Sequence, residues 1–219
     1  MTDFELALQY APIIHLDEKD PFPILHVGYT IFREDGPSRS FRRKIQLDTI
    51  SPDTTCAIEY AYYMDYDIQH LYELEHAWVY LNDAGEITGA ESSCHGKYLN
   101  AYRPGRTQVQ GDHILLYAQP GKHALAADPD LFHWFPGAED SCNRFAGIGG
   151  LDAPERYLTD IHLTEDQQAK VRAYIKDHFS FHPSWRFTPA TITEDMYLPW
   201  NDLSERIPEL LKAQLKQIL

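Results

Sequence analysis

The chain is poor in basic residues, poor in cysteine and without a long hydrophobic run, and each shortage narrows its chemistry. Lys and Arg number 19 against 33 Asp and Glu, for a formal net charge of −14 over 219 residues. A field of that sign repels a phosphate backbone and an anionic membrane surface, so nucleic acid is excluded as a partner and a membrane disfavoured; a cation is the natural complement. The acidic surplus also serves solubility. No stretch approaches the ~20 apolar residues that span a bilayer. The opening Met1-Thr2-Asp3-Phe4-Glu5 has no basic region followed by an apolar run, as a secretory leader would. The three cysteines, Cys56, Cys94 and Cys142, are odd in number and without CxxC spacing, which predicts reduced thiols rather than a disulfide framework. Together these features predict a cytoplasmic protein, secreted only if a leader has been removed. A Gly-rich phosphate loop, HExxH and GxSxG are all missing.

What is present is apolar and aromatic. Hydrophobic residues make up 43% of the chain, with 14 Tyr, 10 Phe and 4 Trp, enough to bury a sizeable core and to exclude disorder. The length suits one mainly β domain over residues 1–219. Turn clusters at Glu34-Asp35-Gly36-Pro37, Asn82-Asp83-Ala84-Gly85 and Arg103-Pro104-Gly105 separate runs rich in aromatic and β-branched residues. These predict strands over 56–64, 74–81, 87–94 and 113–118, with a short extended piece at 10–16 where Pro12 stops any helix begun at Phe4. The fold class expected is an antiparallel β-sandwich with helices in the C-terminal third. Thr164 is a fair N-cap for a helix over 166–179. A second helix is expected from about 203 to 218, with Pro208 in its first turns. The domain then divides into a sandwich core at about 10–126, a packed loop or lid at 128–154 and a helical extension at 163–219.

The densest chemistry lies between Asp65 and His76. With a period of two, Glu73 and Glu75 share a strand face that turns apolar at Ala77, Val79 and Leu81, while Leu74, His76, Trp78 and Tyr80 occupy the other. Two neighbouring buried carboxylates repel, so one must take up a proton or a cation must stand between them. Asp65, His70, Glu73 and Glu75 form a sensible ligand set, hard oxygens plus one imidazole, for a divalent metal ion: Mg²⁺ or Ca²⁺ first, then Mn²⁺ or Zn²⁺. His95 and His123 each follow a predicted strand and are the candidate catalytic groups. A metal-free network remains open, either an acid–base pair of Glu73 or Glu75 with His95, or neutralisation by Lys97 and Lys122. Cys94 beside His95 reads as a small core residue. His178, His182, Trp185 and Arg186 either line a pocket or pack the helix down.

The order of motifs resembles a known superfamily. Tyr10-Ala11-Pro12 is followed by His70-x-x-Glu73-x-Glu75, then Ser93-Cys94-His95-Gly96, then Tyr117-x-x-x-Gly121-Lys122-His123-Ala124. Over roughly residues 10–126 this is similar to the β-sandwich superfamily of necrosis- and ethylene-inducing-peptide-like cytolysins and uncharacterised vacuolar-sorting-like proteins. The resemblance implies a divalent cation site in which His70, Glu73 and Glu75 match a histidine and two acids, with Asp65 in place of an upstream aspartate. The segment departs from the family pattern at Gln69, Tyr72, Glu73 and Leu74, where the relatives carry glycine, histidine, aspartate and tryptophan. The function expected is divalent-metal binding, extending to metal-dependent hydrolysis of a small-molecule substrate. The alternative is a non-enzymatic, cation-dependent module for a sugar-like or anionic ligand.

Overall fold

A computed structural model describes all of residues 1–219. The chain opens with helix α1 (Asp3–Gln9), fixed by a capping box in which Thr2 and Glu5 bond each other's backbone N–H. The longer strands follow as β1 (Ile13–Asp17), β2 (His26–Phe32), β3 (Thr54–Tyr66), β4 (His70–Asn82), β5 (Ile87–Cys94), β6 (Lys97–Asn100) and β7 (His113–Ala118). Beyond them come β8 (Leu125–Ala126), α2 (Ala138–Cys142), β9 (Gly150–Leu151), α3 (Glu165–Phe179), β10 (Phe187–Pro189), β11 (Tyr197–Pro199) and α4 (Trp200–Ile218).

The larger sheet runs β11-β2-β3-β4-β5-β6, with β9 beside the start of β4; the smaller runs β8-β7-β1-β10, with Val109–Gln110 against β7. All four predicted strands are present, and the pairings that build the larger sheet from β2 to β6 are antiparallel. Three parallel pairings depart from the expected antiparallel pattern: β1 with β7, β11 with β2 and β9 with β4. Each joins segments distant in sequence, so the sheets are mixed.

Strands β3 and β4 are buried on both faces, as their near-continuous aromatic and aliphatic content requires. One face places Ile58, Tyr60, Tyr62, Ala77 and Val79 against Ile14, Ile114 and Leu116 of the smaller sheet. The other places Ala61 and Tyr63 against Val171 and Ile175 of α3 and Leu203, Ile207 and Leu211 of α4. Further along, Trp78 and Tyr80 are covered by Ile45 and Leu47 of the 33–50 segment. The C-terminal third therefore supplies an edge strand to each sheet as well as two helices.

One local expectation is corrected. Helix α4 begins at Trp200, directly after Pro199, so Pro208 is the ninth residue and lies inside the helix rather than in its first turns. The 128–154 segment carries a 3₁₀ turn at Pro129–Trp134, helix α2 and strand β9, and its end is tied to the sheet where Gly147 N–H and Gly149 N–H donate to the carbonyls of Ile68 and Gln69.

Candidate metal centre

The turn between β3 and β4 builds the site. Asp67 Oδ1 accepts from the backbone N–H of Gln69 and His70, and Asp67 N–H donates to His70 O at 2.9 Å, so the aspartate side chain shapes its own turn. The turn is clamped from outside, because Ile68 N–H donates to Gly121 O at 2.7 Å and Ile68 O accepts from Gly147. Asp67 Oδ2 is left facing inward, where it accepts from Lys122 Nζ and lies 3.4 Å from His70 Nε2. His70 Nδ1 is 2.8 Å from Tyr72 O. A carbonyl only accepts, so Nδ1 donates to Tyr72 O and Nε2 is the nitrogen turned toward Asp67.

Glu73 completes the group. Ligand atoms of Asp67, His70 and Glu73 all lie within 4.8 Å of one another. Glu73 Oε1 also accepts from Leu74 N–H at 2.7 Å. Burial first, then the adjacent Glu75 and Asp67 charges, raise the Glu73 carboxyl well above its ordinary range. Glu75 is 8% exposed and accepts from Ser93 Oγ–H; burial pushes its carboxyl up to about 7, against the pull of Ser93, His123 and Lys122. In register, Glu73 stands opposite Met64 and Glu75 opposite Tyr62, so both face the inter-sheet core as their shared parity predicts.

The six residues singled out in the sequence divide as follows. His70 and Glu73 meet at the start of β4, with Glu75 near enough for its charge to act on Glu73. His123 is fully buried, its Nε2 3.3 Å from Asp20 Oδ1, close enough for its charge to act on Glu75. Asp65 stands apart, accepting from Tyr63 O–H at 3.0 Å and Gln214 Nε2 at 2.6 Å on the helix-covered face. Strand parity is the cause, since Asp65 shares the face of Tyr63 and not that of Met64. The carboxylate beside His70 belongs instead to Asp67, two residues later. His95 is exposed at the end of β5, with Nε2 2.8 Å from Gln119 Oε1. Lys122 pairs directly with Asp67, and its charge also pulls on Glu73 and Glu75. Asp20 and Ser93 were not foreseen, and Asp20 arrives from 103 residues away in sequence.

The backbone is strained within the group, at Tyr72. Four non-glycine residues adopt positive φ, and three of them are Tyr72 (92°), between His70 and Glu73, His95 (50°) and His123 (57°). Such conformations cost of order 1–3 kcal/mol each and persist where the surroundings dictate them. Cys56, Cys94 and Cys142 are free thiols, as expected; Cys94 is buried, and burial with the nearby Glu75 charge raises it to about 11. No helix is long and apolar enough to cross a membrane.

No known protein family matches the chain, and no curated protein matches it. Among solved structures there are similarities. The chain is similar to necrosis- and ethylene-inducing proteins. "Necrosis and Ethylene inducing Protein 2 from the causal agent of cocoa's Witches Broom disease" is 22% identical over 57% of this chain and 67% of that one, with a TM-score of 0.38. NLPPya in complex with mannosamine is 17% identical over 56% of this chain and 65% of that one, with a TM-score of 0.38. NLPPya in complex with glucosamine is 15% identical over 73% and 90%, with a TM-score of 0.40. The chain thus spans about two thirds of the length of the first two. None of the three bears on the vacuolar-sorting side of the resemblance.

Proposed function

We propose that the protein binds a divalent cation through Asp67, His70 and Glu73, with Glu75 as the adjoining carboxylate that balances its charge. The observation that carries this reading is the convergence of three ligand atoms from three residues within 4.8 Å, with the histidine oriented by the Tyr72 carbonyl. Lys122 Nζ holds Asp67 Oδ2, so an ion taking that oxygen would displace it. One further fact supports the reading. The left-handed backbone of Tyr72, between His70 and Glu73, places strain within the group. Two carboxylates and one imidazole favour Mg²⁺ or Ca²⁺, then Mn²⁺ or Zn²⁺. Such an ion supplies a Lewis-acid centre when bound. His70, 21% exposed at its side chain, is the edge from which a small oxygen-rich molecule, sugar-like or anionic, would approach it.

A second reading, metal-dependent hydrolysis, is favoured by Glu75, whose carboxyl is held near 7 beside the ligand group. A group in that range gives and takes a proton at neutral pH. In this reading Glu75 moves the proton, and His123, oriented by Asp20, steadies its charge.

Elemental analysis of the purified protein, with melting curves in chelator and in each divalent ion, tests the cation reading. About one bound divalent ion per chain and a melting temperature that rises with added ion are expected. A metal-free protein whose melting temperature ignores all four ions would end it.

A further inference from the structure

Between β6 with the segment that follows it and the segment that follows β8 lies a cavity of about 470 Å³, inside the roughly 300–1,000 Å³ range of small-molecule sites. It shares no residue with the cation centre. Buried Ala101 and Ala126, with half-buried Leu131, give it an apolar lining. Its rims carry opposite charge. One rim is the 103–107 turn, where Arg106 and Thr107 N–H both donate to Arg103 O at 2.9 Å and Arg103 N–H donates to Thr107 Oγ1 at 2.7 Å. Thr107 O–H donates in turn to Ala101 O at 3.2 Å, which pins the turn that carries Arg103 and Arg106 to the lining. The other rim is the 3₁₀ turn Pro129–Trp134, capped where Asp128 Oδ1 accepts from Asp130 N–H at 3.0 Å. It brings Asp128, Asp130 and Trp134 to the same cavity.

Neither arginine takes part in an ion pair, and neither does either aspartate. Carboxylates are not scarce in a chain with 33 of them against 19 basic residues. Charges of both signs therefore face one cavity and do not close across it. Trp134 is 82% exposed, more than any other large hydrophobic residue, whereas tryptophan is ordinarily well buried. An indole face attracts both cations and apolar rings. A purely anionic ligand would suit the arginines but not the aspartates, and would approach against a net charge of −14. A purely cationic one would leave two guanidiniums facing it. The complement is a small molecule that carries a carboxylate and an ammonium, is neutral overall, and has apolar surface for Trp134 and the lining.

We propose that this cavity binds a zwitterionic α-amino acid with an apolar side chain. Arg103 and Arg106 take its carboxylate, Asp128 and Asp130 its ammonium, and Trp134 with the alanine lining its side chain. The test is a calorimetric titration of the full-length protein with L-phenylalanine, with tryptophan emission followed in parallel. Saturable binding of one molecule per chain is expected, with an emission change that is lost in Trp134→Phe. Two analogues each remove one charge: 3-phenylpropionate lacks the ammonium and phenethylamine lacks the carboxylate. Each should bind at least about tenfold more weakly than L-phenylalanine. Arg103→Gln combined with Arg106→Gln should weaken binding at least about tenfold, and Asp130→Asn several-fold. All three positions are exposed, so the melting temperature of these variants should match that of the parent. The proposal is overturned if L-phenylalanine does not bind, if either analogue binds as tightly as L-phenylalanine, if the double arginine variant binds as the parent does, or if the emission change survives in Trp134→Phe.

Discussion

At the scale of single residues, Glu75 shows most clearly how burial becomes behaviour. Its carboxyl titrates near 7 in the folded protein against an ordinary value of 4.5. The folded state keeps the proton where the unfolded chain has released it, so this residue lowers stability as pH rises from about 4.5 to about 7, and the loss then levels off. In chelator, Glu75→Gln should accordingly be more stable than the parent at pH 8 by roughly 2–3 kcal/mol, with the gap closing near pH 4.5. Denaturant melts across that range would show it; a gap independent of pH would mean that Glu75 is not the strained carboxylate. The residues legible in the sequence were those whose relation is local. Glu73 and Glu75 share a face by parity, and His70 lies one short step upstream. That Asp67 rather than Asp65 lies beside His70 was not legible, because it depends on where β3 ends and the turn begins, which the strand pattern does not reveal. His123 could be singled out, but not its partner Asp20, because nothing local connects residues 20 and 123.

At the scale of elements, the site depends on a turn clamped between two backbone segments. Gly121 accepts from Ile68 N–H through its carbonyl and has φ of +69°; a Cβ there would stand 2.9 Å from Ile68 Cβ and 3.0 Å from Cys142 Sγ. Gly121→Ala combines a left-handed side chain with overpacking and should cost about 2–4 kcal/mol in denaturant melts. It should also weaken cation binding, because it displaces the turn that carries Asp67 and the segment that carries Lys122. A variant as stable as the parent would show that the clamp is slack. Helix α3 has a plainer dependence: Thr164 and Gln167 form its capping box, and Thr164→Ala should cost about 1 kcal/mol. The long strands and α3 were legible because their apolar patterns are dense and their boundaries carry turn or cap residues. The parallel pairings of β1, β9 and β11 were not, since those strands are short and their partners are set by packing between distant segments. The start of α4 was missed by three residues because Pro199 and Trp200, rather than a side-chain cap, mark it.

At the scale of the whole molecule, the C-terminal third completes the sandwich. Strands β10 and β11 edge the two sheets, and Leu203, Ile207 and Leu211 of α4 cover the face of β3 that bears Ala61 and Tyr63. A chain ended at residue 182 should therefore lose cooperative unfolding, as followed by near-ultraviolet circular dichroism, because it exposes a sheet face and two edges together. The net charge of −14 acts at this scale as well, drawing cations toward a centre where carboxylates crowd at the start of β4. The most direct test of that centre is isothermal titration of Ca²⁺, Mg²⁺, Mn²⁺ and Zn²⁺ into the parent and into Asp67→Asn, which keeps the oxygen that shapes the turn but removes the charge. The parent should bind one ion per chain, and Asp67→Asn should bind it at least about tenfold more weakly with its fold unchanged. Equal affinity in the two proteins, or no binding by the parent, would contradict a cation centre at Asp67, His70 and Glu73.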